Sequence, residues 1–398
     1  MTGRPFLVIN ISQIPFKIQF YSPGLNLKKM EENSTLRQTP LLDQHKKLGA
    51  KLAPFGGWLM PIQYSGIIEE HNWVRKCAGL FDICHMGEFM VQADLAKSNF
   101  GNLVTINLEG MPDGACRYGF MLNEQGGIID DLLVYKIDNT EWMVVVNAAT
   151  SDGDFTHLKK NLTGATSLEN VSQSLGKLDL QGPLSGDILK GLVDSSIKEL
   201  RYYTFGYFNL LGEKIIISRT GYTGELGYEL YMPNNKIPRL WEKLLSDQRV
   251  KPIGLGARDT LRLEMGYSLY GQDIDKNITP LEAGLNYFID WGKEFIGKDV
   301  LLKQKQNGVS RRMICFIADS RRSPRHNYRI IYKGQDVGAV TSGSFSPSLG
   351  AGIGMGYVKD QITLGEQVIL SESSISINAK VTHKPFYKNG SAKSGEIK

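Results

Sequence analysis

Apolar residues recur with two kinds of spacing along this chain, and each spacing predicts a different element. Six stretches have helical spacing: 41–52, 65–80, 151–161, 183–193, 239–247 and 255–269. Alternation is clearest between residues 118 and 147, where YGFML, IIDDLLVYKI and WMVVV are separated by the turn-forming runs NEQGG and DNTE. This arrangement predicts three antiparallel strands that follow one another as a meander.

The pattern changes after about residue 305, where short β-rich runs alternate with glycine, serine and proline. Such spacing is typical of a small all-β domain. The whole chain is therefore predicted to be an α+β protein in three parts. Mostly antiparallel sheets carry the helices, and a β-barrel or sandwich closes the chain. The polar tail from Tyr387 onward is predicted to be frayed.

Composition limits the classes of protein that fit. The chain has 398 residues, of which 41% are hydrophobic and 22% charged, an ordinary globular balance for two or three domains. The net charge of +5 suits an anionic small ligand or an acidic partner protein, and it is too weak for a nucleic-acid-binding surface. No run approaches the roughly 18 apolar residues of a membrane span.

Cysteine and histidine are scattered and do not form a ligand set. The four cysteines contain no C-x-x-C pair, and the six histidines contain no H-E-x-x-H spacing, so a protein-bound metal is not expected. Free thiols in a chain of this length fit a reducing compartment.

The N-terminal segment 1–29 holds four basic residues and no acidic one. Polar residues and a proline interrupt its apolar part, which argues against a secretory signal. Two interpretations stay open: an organellar transit peptide, or an upstream extension of a chain that properly begins at Met30. Serine and arginine are sparse, which favours the extension.

Two glycine-rich patterns resemble nucleotide-binding motifs but lack their context. GAGIGMG, from Gly350 to Gly356, has no helix after it, so we predict a β-turn in the terminal domain. GYTGELGYE, from Gly221 to Glu229, lacks the lysine of a phosphate loop. Neither pattern supports a phosphate cradle.

Two adjacent carboxylates stand out in GGIIDDLLVY, where Asp130 and Asp131 lie side by side in a predicted strand. Neighbours in a strand point to opposite faces, so one of the two must point inward. A buried carboxylate is costly without a partner, and the inward one therefore needs a structural or chemical purpose.

Three more polar residues lie in apolar surroundings: Glu229 in GYELYM, Arg258 in LGARDTLRLE and Asn147 after WMVVV. A structural interpretation is open for them, since Arg258 with Glu229 or Asp259 would form a stabilising ion pair. The functional interpretation joins them with Asp131 and three tyrosines in one aromatic pocket, which suits a flat heteroaromatic ligand. The three tyrosines are Tyr118, Tyr222 and Tyr267.

At this level of detail the chain resembles the glycine cleavage system T-protein family of aminomethyltransferases. The resemblance runs from about residue 36 to the low 380s, without large gaps. It rests on seven successive motifs: TPLLDQHKKLGAKLAPFGGWLMPIQY, GLFDICHMGEF, NEQGGIIDDLLVY, VVNAAT, RTGYTGELGYEL, GLGARDTLRLEMGYSLYGQDID and VTSGSFSPSLGAGIGMGYV.

The resemblance implies a cloverleaf of three domains around a central folate site, with two interleaved antiparallel α+β domains and a C-terminal jelly-roll-like β-barrel. After an N-terminal extension over 1–35, the expected domains are discontinuous. The first comprises 36–88 and 172–272, the second 89–171 and 273–305, and the barrel 306–398.

The resemblance also implies a reaction. A lipoylated H-protein would present an aminomethyl group, and this protein would pass the one-carbon unit to tetrahydrofolate, releasing ammonia and forming 5,10-methylenetetrahydrofolate. Tetrahydrofolate is then the co-substrate, no metal is needed, and the H-protein is the expected partner of a chain that is a monomer on its own.

Residue roles follow from the matched motif positions. Asp131 falls on the catalytic aspartate, with Asp130 sent to solvent or to a turn backbone on the opposite face. Glu229 falls on the glutamate that meets the pterin, and Arg258 on a folate-binding arginine that would hold Glu229 ionised. The remaining positions stack on the cofactor or hydrogen-bond it: Tyr118, Asn147, Tyr222 and Tyr267.

Some alternatives stay open. The same fold would serve another tetrahydrofolate-dependent methyl or one-carbon transferase or demethylase. It would also serve a non-catalytic folate-binding factor for iron–sulfur assembly, although the K-G-C-Y-x-G-Q-E signature of that group is absent. Cys84 and Tyr287 depart from the usual serine and tryptophan of the family. The expected location is the cytoplasm, or the mitochondrial matrix if 1–29 is a transit peptide.

Overall fold

The computed structural model describes residues 36–193 and 195–393. The predicted N-terminal extension and its two interpretations lie outside the described residues.

Twenty β-strands and seven α-helices form the regular structure of the described part of the chain. The strands are β1 (Arg37–Gln38), β2 (Lys51–Phe55), β3 (Trp58–Gln63), β4 (Ala78–Asp82), β5 (Gly87–Gln92), β6 (Cys116–Leu122), β7 (Ile128–Lys136), β8 (Glu141–Val146), β9 (Ser167–Asn170), β10 (Leu175–Gln181), β11 (Phe205–Leu210), β12 (Glu213–Ser218), β13 (Gly227–Pro233), β14 (Val250–Pro252), β15 (Arg312–Ala318), β16 (Arg329–Tyr332), β17 (Gln335–Ser346), β18 (Ala351–Val358), β19 (Gln367–Glu372) and β20 (Ile375–Thr382). The helices are α1 (Leu42–Lys47), α2 (Ile67–Lys76), α3 (Ser151–Asn161), α4 (Ser185–Lys190), α5 (Ile237–Leu245), α6 (Leu255–Glu264) and α7 (Lys298–Asn307). None of these helices is long and apolar enough to cross a bilayer.

The predicted meander is confirmed, because β7 pairs with β6 on one side and with β8 on the other, both antiparallel. The helix predicted over 151–161 is also confirmed as α3. The helices predicted over 41–52 and 65–80 are too long, since their last residues belong to β2 and β4. Every residue of β4 is buried between two neighbouring strands, and this tertiary pairing overrides the helical spacing.

A six-stranded sheet has the order β11-β12-β13-β10-β4-β14. Its centre is the antiparallel pair β10 and β13, in which Asp179 lies directly opposite Glu229 and Lys177 opposite Tyr231. One face is covered by α5, whose Leu240 and Trp241 are fully buried. The opposite face carries the charged side chains, is not covered by α5, and can therefore border a cavity.

A five-stranded sheet has the order β6-β7-β8-β5-β9. In its register Phe120 lies opposite Asp131, and Leu133 opposite Val145. Helix α3 packs on one face, where the ring of Phe155 lies edge-on to that of Phe89. The two sheets alternate along the chain, since β4 belongs to the six-stranded sheet, β5 to β9 to the five-stranded sheet, and β10 to β14 to the six-stranded sheet again. The division into domains remains a prediction.

The C-terminal strands form a closed six-stranded barrel in the order β15-β18-β17-β16-β19-β20, with every pair antiparallel. This confirms the predicted all-β closing unit. The β-turn predicted for GAGIGMG is confined to Gly350, whose φ is 67°. The later glycines lie inside β18, where a side chain on Gly354 would meet the ring of Phe316 at 2.6 Å.

The predicted fraying of the tail is wrong for its described part. The N–H of Tyr387 donates to the carbonyl of Glu264 at 2.9 Å, and its ring lies 4.2 Å from the guanidinium of Arg75. Further on, the N–H of Ser391 donates to a carboxylate oxygen of Glu225 at 3.0 Å. Residues of α2, of α6 and of the loop before β13 thus hold a segment that composition alone predicts to be loose.

Candidate functional site

A central cavity of about 2230 Å³ lies between the two sheets and the barrel. Single-ligand pockets measure about 300–1,000 Å³, so this one has room for a large ligand and a second reacting group. The structure brings all seven sequence-predicted site residues to its wall: Tyr118, Asp131, Asn147, Tyr222, Glu229, Arg258 and Tyr267.

Asp131 is held at the cavity by two donors. The hydroxyl of Tyr118 donates to its Oδ2 at 2.9 Å, and Nδ2 of Asn147 donates to its Oδ1 at 2.8 Å. Tyr118 comes from β6 and Asn147 directly follows β8, so both strands beside β7 supply a donor. The carboxylate therefore has one fixed direction.

The ionisation of Asp131 is set near neutrality. Burial, together with the neighbouring Asp130 carboxyl, raises the pKa of Asp131 to about 7, although the donors Tyr118 and Asn147 act in the opposite sense. A group with a pKa near the working pH can both accept and return a proton. The geometry thus suits a proton-transferring or cation-stabilising carboxyl.

Asp130 does not point to solvent, so the first of its two expected environments is wrong, whereas a backbone N–H does satisfy it. It is fully buried, with the backbone N–H of Asn147 donating to Oδ2 at 2.9 Å and Nδ2 of Asn147 donating to Oδ1 at 2.8 Å. The reason is tertiary: α3 follows Asn147 closely and brings the buried Asp154 to the same place.

Glu229 has a different partner from the predicted one. Nζ of Lys177 lies 3.0 Å from its Oε2, and the hydroxyl of Tyr231 donates to the same oxygen at 3.2 Å. Arg258 instead donates from Nη1 to Oδ2 of Asp179 at 2.7 Å. The expected direct Arg258–Glu229 contact is therefore wrong.

The second ion pair that the sequence allowed, between Arg258 and Asp259, is also wrong. Asp259 accepts from Arg262 at 2.8 Å, one turn further along α6. Helix geometry explains this, because residues three apart lie on one face whereas direct neighbours do not.

The charge of Glu229 is secured by cations. Burial alone would raise the pKa of Glu229, but Lys177 and then Arg258 outweigh it and lower the pKa. Glu229 is thus a fixed anion at the cavity wall, in contrast to Asp131.

An aromatic wall completes the cavity. The rings of Tyr222 and Tyr267 are stacked, with centroids 5.6 Å apart and planes inclined by 24°. The guanidinium of Arg258 lies 5.0 Å from the centroid of Tyr222, and the Tyr222 hydroxyl donates to the carbonyl of Ser268. Stacked rings beside a guanidinium form a flat surface that suits a planar heteroaromatic group.

Sequence reasoning missed Lys177, Asp179 and His85. A signal for the first two was present in LGKLDLQ, where Lys177, Asp179 and Gln181 alternate on one face of β10, and all three are buried. His85 lines the cavity, and its buried Nδ1 has no hydrogen-bond partner among residues 36–193 and 195–393. Burial lowers the pKa of His85 to about 4, so its ring is neutral.

The two residues that differ from the usual family pattern, Cys84 and Tyr287, lie in different surroundings. Cys84 is buried, and its Sγ contacts the backbone of Lys177 at 3.3 Å, as a small buried residue should. Tyr287 lines the cavity but is 90% exposed.

Comparison with known families covers nearly all of the described chain. Residues 41–293 match the GCVT N-terminal domain, and residues 311–388 match the glycine cleavage T-protein C-terminal barrel domain. The second match coincides with the closed barrel.

Individual relatives agree with the family match. The aminomethyltransferase of Halothermothrix orenii is 46% identical, over 88% of this chain and 100% of its own. That of Caldanaerobacter subterraneus is 42% identical, over 91% and 99%. The crystal structure of the glycine cleavage system aminomethyltransferase T from Bartonella henselae superposes with a TM-score of 0.83 at 33% identity, covering 90% of this chain and 99% of that one. This chain therefore belongs to the aminomethyltransferase family, the T-proteins of the glycine cleavage system.

Proposed function

We propose that this aminomethyltransferase moves the one-carbon unit of an aminomethyl-dihydrolipoyl H-protein to tetrahydrofolate. The observation that carries the proposal is that Asp131 and Glu229 line the same cavity from different sheets, with the pKa of Asp131 raised and that of Glu229 lowered. One carboxyl is tuned to exchange a proton and the other to stay charged.

The reaction balances without a redox partner. The transferred carbon loses its bonds to the amine nitrogen and the lipoyl sulfur, and it gains bonds to two nitrogens of tetrahydrofolate. Those two nitrogens each release one proton. One proton completes ammonia and the other completes the thiol, so a group that moves protons is the main chemical requirement.

Asp131 fills that requirement. Its carboxylate would orient the folate nitrogens, take a proton from one of them and stabilise the positive charge that develops at the carbon. Tyr118 and Asn147 keep the carboxylate in place, because each occupies one of its oxygens. A fixed anion close to a developing positive charge has a larger effect in surroundings of low dielectric constant than in bulk water.

Glu229 would bind the pterin end of the co-substrate. A pterin presents an amino group beside a ring N–H, and a carboxylate accepts from both. Lys177 keeps Glu229 ionised, while Arg258 and the stacked Tyr222 and Tyr267 border the flat ring. The residues present thus fit tetrahydrofolate.

The size of the cavity supports two substrates at once, since about 2230 Å³ exceeds what a folate alone requires. We include in the proposal the H-protein as the partner that delivers the lipoyl arm, a cytoplasmic location, and a monomeric state in the absence of that partner.

A reconstituted assay tests the function. Purified protein is mixed with aminomethylated, lipoylated H-protein and tetrahydrofolate, and ammonia and 5,10-methylenetetrahydrofolate are measured together. We expect both products in equal amounts and neither without tetrahydrofolate. Ammonia released at the same rate without the folate product would overturn the proposal.

A further inference from the structure

Asp130 has no assigned part in the transfer, yet it is fully buried directly behind the cavity wall. It points away from the face that Asp131 uses, as strand alternation requires. A buried carboxyl has to be matched by donors. Both of its oxygens are matched by one residue, Asn147, through the backbone N–H at 2.9 Å and Nδ2 at 2.8 Å.

Asn147 connects this buried carboxyl to the cavity. Its Nδ2 also donates to Oδ1 of Asp131 at 2.8 Å. A side-chain amide carries two N–H groups, so one donates to Asp130 and the other faces Asp131, whose backbone carbonyl also lies 3.1 Å from Nδ2. The direction of the amide is therefore determined by Asp130, and the direction of the Asp131 carboxylate by the amide.

Three titratable groups surround the Asp130 carboxyl: Asp131 on its own strand, Asp154 on α3, and Tyr270 in the loop after α6. Asp154 is also fully buried, and neither of its oxygens has a partner of hydrogen-bonding geometry within the described residues. Burial and the neighbouring Asp154 carboxyl raise the pKa of Asp130, and burial raises the pKa of Asp154 to about 7.

We propose that Asp130 is a positioning residue for the one-carbon transfer, because it fixes the side-chain amide of Asn147 and thereby the Asp131 carboxylate. The inference rests on the proposed function, since it concerns the geometry of the same site. Asp130 does not line the cavity, so its effect passes through Asn147.

The substitution Asp130→Asn tests the inference with almost no change in size. An amide offers a single acceptor oxygen, so its NH₂ group has to face an N–H of Asn147, and Asn147 must turn away. We expect kcat to fall about 10- to 100-fold, as misplacement of a reacting group does. KM for tetrahydrofolate stays nearly unchanged, because Glu229 and the aromatic wall are intact.

Asp154→Asn is the matched control. It replaces the neighbouring buried carboxyl and places an N–H where the oxygens of Asp154 meet no donor. The Asn147 bridge stays intact in this variant, so kcat should remain close to that of the wild type. An equal loss of kcat in both variants would show general disruption and overturn the assignment.

A double-mutant cycle separates positioning from a structural role. Asn147→Ala removes the bridge, so adding Asp130→Asn to it should cost little further activity, whereas independent effects would multiply. The inference is overturned if the loss of kcat in the double variant equals the product of the two single losses. It is also overturned if Asp130→Asn alone keeps the kcat of the wild type. If Asp130→Asn does not fold, as judged by circular dichroism, Asn147→Ala is the remaining test. An unchanged kcat in that variant would show that the Asn147 amide does not position Asp131.

The same assay keeps the two proposals apart. Absence of transfer by the wild-type protein would reject the proposed function. Transfer by the wild type, with equal kcat in Asp130→Asn, would reject only the positioning role.

Discussion

Asp131 and Glu229 line the same cavity, and each belongs to a group of carboxyls that differs from the other group in the cations beside it. The carboxyl cluster consists of Asp130, Asp131 and Asp154, and no lysine or arginine of the described chain forms an ion pair with it. The ion-paired cluster consists of Glu229 and Asp179, with Lys177 at 3.0 Å from the first and Arg258 at 2.7 Å from the second.

The difference shows how the same chemical group, a carboxyl, acquires two roles. Without a cation, burial dominates and raises the pKa of Asp131 to about 7. With Lys177 in contact, the pKa of Glu229 is lowered in spite of burial, whereas burial still raises the pKa of Asp179 beside Arg258. Carboxyls whose pKa values are pushed apart in this way divide into a proton-exchanging group and a permanent anion. Five experiments would test this division.

The largest effect is expected from Asp131→Asn. The amide has the shape of the carboxyl but cannot accept a proton, so kcat should fall about 10²- to 10⁴-fold. Tetrahydrofolate affinity, measured by calorimetry, should change little, because the pterin contacts lie in the other cluster. Asp138→Asn, in the exposed turn of the same hairpin, is the control. Near-normal turnover in Asp131→Asn would remove the catalytic assignment.

Lys177→Met addresses the ion-paired cluster. It leaves the Glu229 carboxylate buried without its cation, so the free energy of unfolding should fall by about 3–5 kcal/mol in urea denaturation. The exposed pair of Lys251 with Glu69 serves as control, and Lys251→Met should cost about 0–1 kcal/mol. Equal effects of both substitutions would contradict the view that Lys177 secures the charge of Glu229.

Glu229→Gln tests the recognition role. Loss of the charged acceptor should weaken tetrahydrofolate binding by about 1–3 kcal/mol, because a buried donor of the pterin is left without its partner. Glu88→Gln is the matched control: burial raises the pKa of Glu88 to about 8, so this side chain is already neutral. Unchanged affinity in Glu229→Gln would place the pterin elsewhere.

The smallest effect concerns pH. With an Asp131 pKa of about 7, kcat should rise about tenfold per unit below that pH and level off above it. Tetrahydrofolate affinity should stay flat over this range, because Glu229 is ionised throughout. A flat kcat profile between pH 5 and 8, with chemistry shown to limit the rate, would contradict the assignment.

The same pKa affects stability with a defined sign. The folded pKa of Asp131 lies above its unfolded value, so the protonated form favours folding at low pH, and this contribution is lost as the pH rises through about 7. Asp131→Asn should therefore gain stability relative to the wild type between pH 4 and 8. A constant difference across that range would contradict the raised pKa.

The sequence predicted well where a signal is local. The three-stranded meander follows from alternation and turn residues within 118–147, and α3 from helical spacing over 151–161. The seven predicted site residues were found through motif resemblance, and all of them line the same cavity, while their roles remain a prediction. Chemistry alone marked Asp131 only as an inward carboxyl in need of a purpose.

Prediction failed where the partner lies far away in the chain. Glu229 was assigned to Arg258, but the pairing of β10 with β13 brings Lys177 to it from 52 positions away, since 229 − 177 = 52. The helix predicted over 65–80 ends early because residues 78–82 form strand β4, which pairs with β10 and β14. Local spacing carries no information about such pairings.

The sequence by itself determined the element types, the closing all-β unit, and the presence of an inward carboxyl on the strand GGIIDDLLVY. Only the tertiary structure decided which carboxyls are neutral and which are charged. The physical reason is that ionisation of a buried group depends on the cations and dipoles within a few ångströms of it. For Asp131 and Glu229 those neighbours come from separate strands. Their pKa values are therefore determined only when the sheets are assembled around the cavity.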